Sequence, residues 1–302
     1  MSVQDVLNSL EPTVEQLMDR HMRTTKEWFP HETSPWALGI ELDFTEDWVA
    51  ELSPFNRAAR SSLYVNLLTE DNLPYYFRDI DDMFGPDGAW GAWSRRWTAE
   101  EGRHSIAMRD YMILTKAVDP VELERARMNQ VGKGEVPAPD NALEALAYVA
   151  IQELATRIAH FNTGKHLDDP VGYEMLKRVS TDENFHHLFY RDLVSTTLEI
   201  DPGAMVQAIA TQVEGFAMPG TGIPGFDRHA QIIARAGIYD LTVHVDQILK
   251  PLIYRQWKLD TLTGLTPEAD QARTNMFAFI DALDELAIAQ REKSAERAAA
   301  RV

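Results

Sequence analysis

Two stretches of this chain place a glutamate and a histidine three residues apart on the apolar face of a helix. In WTAEEGRHSIAMRDYMI, the residues Trp97, Glu101, His104 and Met108 fall at i, i+4, i+7 and i+11, a single stripe of the 3.6-residue period. In STDENFHHLFYRD and the residues before it, Leu176, Val179, Glu183, His186 and Tyr190 form a second such stripe. A carboxylate and an imidazole inside a helix core are costly unless something compensates them. Two such pairs in one helical chain point to a shared compensator.

Counted alone, the pairs carry little: 47 acids and nine histidines in 302 residues give one or two acid-x-x-His matches by chance. The conjunction carries more. A carboxylate-bridged di-iron site in a four-helix bundle takes two Glu-x-x-His helices and one further glutamate from each of two others. Both further glutamates are present: Glu70 follows Leu63 and Leu67 on one stripe, and Glu153 follows Leu146, Val149 and Ala150 on another. The interval from Glu70 to Glu101 matches that from Glu153 to Glu183 to within one residue, a weak internal repeat. Six core-facing groups on four helices favour a cation, and carboxylate with imidazole and no sulfur suits iron or manganese better than structural zinc. The competing reading is a buried salt-bridge network with Arg103 or Arg157 as partner.

The chain has no cysteine, which excludes disulfides, thiolate zinc and any iron–sulfur cluster of its own. Electrons for such a site must come from elsewhere. No run approaches the roughly 18 apolar residues of a membrane span, and MSVQDVLNSLEPTVEQLMDR lacks a basic-then-apolar signal pattern, so a cytoplasmic location is expected. The net charge of −18 argues against nucleic acid and anionic membrane surfaces. An acidic partner would need a local basic patch, and two candidates are Arg20, Arg23 and Lys26, and Arg228, His229 and Arg235.

The periodicity predicts a first helix over 11–27, ended by Trp28-Phe29-Pro30, then an irregular connection over 30–50. A long helix is expected from Asn56 to Phe84 with a kink after Glu70, caused by Pro74. After the turn 85–88 comes the helix carrying Glu101 and His104. A shorter helix opens at Asp119-Pro120, and 132–139 is a loop. Helices over 141–163 and 171–198 are joined by 164–170, and Asp201-Pro202 starts another. The run FAMPGTGIPGF, 216–226, reads as a Gly/Pro loop covering a surface next to the bundle. Two or three helices follow, and REKSAERAAARV reads as a frayed amphipathic tail. No strand and no domain boundary are predicted: one all-α domain over 1–302, its core at about 15–285.

At these residues the chain resembles the soluble acyl-[acyl-carrier-protein] desaturases. WTAEEGRH is similar to that family's W-T-A-E-E-N-R-H, and DENFHH to its D-E-x-x-H. LLTEDNLPYY, AIQELATRIAHFNTGKH and WKLDTLTGL add to the likeness, which spans about 15–285. The resemblance implies a ferritin-like bundle with additional helices and two iron ions per chain. It implies Glu70 and Glu153 as terminal carboxylate ligands, Glu101 and Glu183 as bridging ones, and His104 and His186 as imidazole ligands. By the same likeness Thr156 manages protons during oxygen activation, although a helix threonine bonded to a carbonyl fits equally. Trp28 matches a surface tryptophan of an electron route through Asp182 and His104, and Asp182 is also expected as the carboxylate supporting a ligating histidine. Tyr76, Trp93, Trp97 and Tyr190 match residues around the site and substrate channel, the alternative being plain core.

Three positions depart from the family pattern. Gly102 stands for the usual asparagine, and Phe185 and His187 for residues that are commonly polar or charged; none is an expected ligand. The function implied is oxygen-dependent desaturation of a fatty acyl chain on acyl-carrier protein, in fatty acid biosynthesis, by a homodimer reduced by a ferredoxin-type donor. The alternatives are another di-iron oxidase or monooxygenase, iron storage as in ferritins, and a carrier-protein-binding protein without turnover.

Overall fold

The computed structural model describes all residues except 40–47, 135, 137, 219, 221 and 300–302. The described residues are helical with no strand. Helix α1 (Val3–Thr24) is followed by a one-turn α2 (Pro30–Thr33), then α3 (Arg57–Glu70), α4 (Leu73–Phe84), α5 (Gly88–Leu114) and α6 (Pro120–Lys133). The second half holds α7 (Ala142–His166), α8 (Pro170–Ile200), α9 (Pro202–Glu214), α10 (Phe226–Arg235), α11 (beginning Leu241–Val243) and α12 (Pro267–Ala299).

Helix starts carry their own local signals. Asn56 accepts from the amides of Ala58 and Ala59, Asn141 from Leu143 and Glu144, and Asp169 from Gly172, so amides left free at the first turn are satisfied by side chains. Proline occupies the first turn of α6, α8 and α9, where it forfeits no helical hydrogen bond.

Helices α3, α5, α7 and α8 form the central bundle, with α7 and α8 sharing the most extensive interface. Alpha1 lies across α5 and α8 and α9 against α7, while α10 packs on α3. One core cluster gathers Leu10, Trp93, Leu146, Tyr190, Ile209 and Leu252 with their neighbours, and a second gathers Leu63, Met108, Tyr111 and Leu176. Tight approach of α5 to α8 requires Gly172: a Cβ there would lie 2.3 Å from the Tyr111 hydroxyl, which donates instead to Asp169 at 2.7 Å.

Several expectations need correction. The first helix begins at Val3, with a capping box between Ser2 and Asp5, and passes through Pro12. Its Val6, Leu7 and Leu10 are buried, so the core takes in residues before 15. The expected kink after Glu70 is a full break: Asp71 and Asn72 separate α3 from α4, with Pro74 in the new first turn, because a proline is tolerated there and not mid-helix. Alpha6 runs on through Gly132, and α7 through Gly164 to His166, leaving a connection of only Leu167 to Asp169. After Val243 the chain widens into π-helical turns at His244–Leu249 and Pro251–Gln256. The stretch from Arg291, expected as an amphipathic tail, continues α12 through Ala299.

Candidate metal centre

The four central helices bring the six expected groups together. Glu70 (the last residue of α3), Glu101 and His104 of α5, Glu153 of α7 and Glu183 and His186 of α8 are all under 10% exposed. Two groups of donor atoms result, each within 4.8 Å: Glu70, Glu101, His104 and Glu183, and Glu101, Glu153, Glu183 and His186. Glu101 and Glu183 belong to both. Each group is completed by one imidazole and one further carboxylate.

The imidazoles turn their Nδ1 atoms inward. His104 Nδ1 lies 3.4 Å from Glu101 Oε2, 3.4 Å from Glu183 Oε1 and 3.6 Å from Glu70 Oε2. His186 Nδ1 lies 2.7 Å from Glu101 Oε1 and 3.7 Å from Glu153 Oε2. Both Nδ1 atoms, Glu101 Oε1 and Glu153 Oε2 are buried without a hydrogen-bond partner. No arginine or lysine among the described residues pairs with the four glutamates, whose ionic neighbours are all histidines. Arg103 pairs with Asp182 at 2.8 Å instead, and Arg157 lines a surface groove between α7 and α8. The salt-bridge alternative therefore lacks its cations.

Electrostatics point the same way. Burial, with the charge of Glu183 added, raises the Glu153 carboxyl well above the usual range. Burial alone would lower both imidazoles, yet Glu101 and its neighbours raise His104, and Glu100 and Glu101 raise His186, well above the ordinary value. Negative charge in excess draws protons inward, and a pair of divalent cations would satisfy the same lone pairs. Four carboxylates and two imidazoles with unpartnered atoms facing one another fit a binuclear site.

Each imidazole is held from behind by an acid. His104 Nε2 lies 3.3 Å from Asp182 Oδ2, which also accepts from Trp28 Nε1 at 2.9 Å and Arg103 Nη2 at 2.8 Å. Burial alone would raise Asp182, but the bond from His104 and the charge of Arg103 hold it below its usual range. Trp28, expected at the surface, is 2% exposed: the Arg103 guanidinium covers it at 5.0 Å and His104 stacks on it at 6.4 Å. On the other side, His186 Nε2 lies 2.9 Å from Glu100 Oε2, and His21 Nε2 meets the same oxygen at 2.9 Å.

Thr156 Oγ1 lies 3.0 Å from Glu183 Oε2 and within 3.2 Å of the carbonyls of Gln152 and Glu153, so the expected helix carbonyl and one of the shared carboxylates are both in reach. His160, one turn on, meets Glu70 Oε1 at 2.9 Å through Nε2. Glu100, His21 and His160 were not foreseen. The signal for Glu100 is present in the sequence, since an acid immediately precedes the glutamate of both Glu-x-x-His pairs.

Two cavities flank the site and share Thr69 and Glu70 on their walls. The first, about 50 Å³, is lined by Tyr76, Ile80, Met83, Trp97, Glu101, Tyr148 and Val149 among others. The second, about 140 Å³, is lined by Val65, Thr156, His160, Met218, Phe226 and Ile233 among others, so Met218, Gly220 and α10 cover it. Trp97 also donates to Glu153 Oε1 at 3.0 Å. Trp93 and Tyr190 line neither cavity: Trp93 stacks on Phe189 at 3.6 Å and donates to the Tyr190 hydroxyl, as core residues do.

The basic patches also resolve. Arg20 is paired with Asp192 at 2.7 Å, while Lys26 joins Lys177 and Arg178 around a surface depression whose floor includes Trp28 and Asp182. On α10 the inner face lines the second cavity, and His229 stacks on Tyr64. No helix among the described residues is long and apolar enough to cross a membrane.

A sequence profile described as fatty acid desaturase matches residues 2–302. DesA1 of Mycobacterium tuberculosis, assigned as an acyl-[acyl-carrier-protein] desaturase, is 39% identical over 97% of this chain and 89% of its own length. A chloroplastic stearoyl-[acyl-carrier-protein] 9-desaturase of Brassica napus is 30% identical over 96% of this chain and 78% of its own. The crystal structure of DesA2 of Mycobacterium tuberculosis, assigned to the same activity, superposes with a TM-score of 0.70 at 27% identity, covering 89% of this chain and 99% of that one.

Proposed function

The chain belongs to the acyl-[acyl-carrier-protein] desaturase family of oxidoreductases, and from that premise we propose that it desaturates a saturated fatty acyl chain carried on acyl-carrier protein at a di-iron site. The observation that carries this reading is the sharing of Glu101 and Glu183 by two donor groups beside an apolar cavity. Glu70, Glu101, His104 and Glu183 would hold one iron; Glu101, Glu153, Glu183 and His186 would hold the other. Iron bound there supplies, with dioxygen, the oxidising power that an unactivated C–H bond demands.

The balance is simple. Two vicinal C–H bonds break and a C=C bond forms, and with two electrons and two protons from outside, dioxygen leaves as two waters. The protein's own residues position and shield. Tyr76, Trp97, Tyr148 and Val149 wall an apolar slot against Glu70 and Glu101, which aligns the chain and keeps bulk water out. Thr156, with its hydroxyl 3.0 Å from Glu183 Oε2, is placed to hold or pass a proton at the shared carboxylate.

Electrons enter where Trp28 and Asp182 floor the depression ringed by Lys26, Lys177 and Arg178. Glu174 on the same rim pairs with Lys177 at 3.1 Å, and the cations still outnumber the acids, a setting suited to an acidic ferredoxin-type donor. The acyl carrier docks beside α10, where Arg228 and Arg235 flank the cavity-lining face. The working form in this proposal is a cytoplasmic homodimer.

The test is a mass spectrum of the acyl chain after turnover by iron-loaded protein, with a panel of saturated acyl-carrier substrates, reduced ferredoxin and dioxygen. Loss of two hydrogens, abolished by Glu101→Ala, is the expected result. Gain of one oxygen would move the protein to the monooxygenases, and an unaltered chain with two irons bound would overturn the catalytic reading.

A further inference from the structure

The outer supports of the two imidazoles are built alike. The acid immediately before each shared glutamate serves the histidine of the opposite helix: Asp182 of α8 meets His104 of α5, and Glu100 of α5 meets His186 of α8. Each acid is met in turn by one ring from the N-terminal segment, Trp28 on Asp182 and His21 on Glu100. Each of those rings also stacks on the imidazole it serves, Trp28 on His104 at 7° and His21 on His186 at 19° and 5.9 Å.

We propose that His21 is a positioning residue for His186, acting through Glu100; the proposal rests on the di-iron reading above. Glu100 Oε2 accepts from both Nε2 atoms at 2.9 Å, and its other oxygen faces Arg96 and, at 3.8 Å, Arg103. Those arginines share α5 with Glu100, and Arg96 is 35% exposed. Among the described residues, the grip on Oε2 from outside α5 and α8 is His21 alone.

The ring plane of His21 is fixed by edge contacts with Trp93 at 5.1 Å and Phe185 at 6.0 Å, and only 4% of it is exposed. With Oε2 fixed, His186 keeps its proton on Nε2 and turns the Nδ1 lone pair toward Glu101 and Glu153. Position 21 closes the apolar stripe of Leu10, Val14 and Leu17 on α1, where leucine would serve packing equally well. A histidine there does more than fill space.

The experiment compares wild type, His21→Leu and His21→Gln loaded with ⁵⁷Fe(II), following iron per chain, release to a chelator and the Mössbauer spectrum. His21→Phe, which suits the slot between Trp93 and Phe185, replaces the leucine chain if that does not fold. We expect the leucine chain to keep its metal-free melting profile, to lose one of two irons about ten- to a hundred-fold faster, and to alter one of two quadrupole doublets. His21→Gln, which can still donate to Glu100, restores both readings. Unchanged release and doublets in His21→Leu, with two irons in wild type, would overturn the role of His21 alone. A wild-type chain that binds no iron pair would overturn the site reading and this proposal together.

Discussion

His160 Nε2 stands 2.9 Å from Glu70 Oε1, and both residues are buried. Glu70 ends α3 just before the break at Asp71 and Asn72, so its carboxylate lacks the helical continuation that steadies the other three glutamates. His160 supplies the missing restraint. His160→Leu leaves a buried carboxylate oxygen without a donor, a loss of about 1–3 kcal/mol, and iron titration is expected to show at least a ten-fold weaker site. His160→Gln recovers most of it. Equal affinity in the leucine chain would remove His160 from the site's support.

The rim over Trp28 gives a second expectation. Lys26→Glu with Lys177→Glu reverses charge beside the proposed electron entry while leaving the ligands untouched. The KM for a reduced ferredoxin should rise at least ten-fold and lose its dependence on ionic strength. Steady-state assays at two salt concentrations check this. An unchanged KM places donor docking elsewhere.

Cavity shape should set the preferred chain. Val149 lines the smaller cavity from α7, and Val149→Phe fills part of it at a stability change of about 1–3 kcal/mol. Each methylene excluded forfeits about 0.8 kcal/mol, close to a four-fold loss in kcat/KM. Competition among acyl chains of graded length should therefore show the optimum shortened, and an unshifted profile would mean that the acyl chain does not run past Val149.

Stability should fall in mild acid through His244. This partly buried imidazole is hydrogen-bonded through Nδ1 to the Tyr239 hydroxyl at 3.0 Å and stacks on Phe216, and burial pushes it down to about 4. The unfolded chain binds the proton first, near the ordinary value of about 6.5, so the contribution is complete above that pH. It is lost as pH falls from there toward about 4, by at most about 3 kcal/mol. Denaturant titrations of wild type and His244→Leu should show a shallower pH dependence in the variant over that window. Parallel curves would discount His244.

The six inward groups were legible because helical periodicity and order suffice to align four stripes: Glu101 with His104, Glu183 with His186, and Glu70 and Glu153 after leucines at matching intervals. His160 was within reach too, since it repeats the face of Glu153 and Thr156 two turns and one turn on. Glu100 hides because it lies 86 residues away from His186 in the chain, on the flank of its own stripe. His21 hides because a lone histidine on an apolar stripe does not announce a partner on another helix. Trp28 was identified but misplaced at the surface, since only the fold shows that Arg103 covers it. The π-helical turns of α11 leave no pattern in composition or period.

The clasp of α1 over the centre also constrains how the protein is made. His21 and Trp28 leave the ribosome before their partners, Glu100 and Asp182, and the imidazoles those acids hold span the chain as far as His186. Until α8 has emerged, the nascent chain carries glutamates with no complete cradle, and a metal ion has no binuclear site to enter. A site of both donor groups is therefore complete only once α8 has folded onto α5, and the supports from His21 and Trp28 close over it only then.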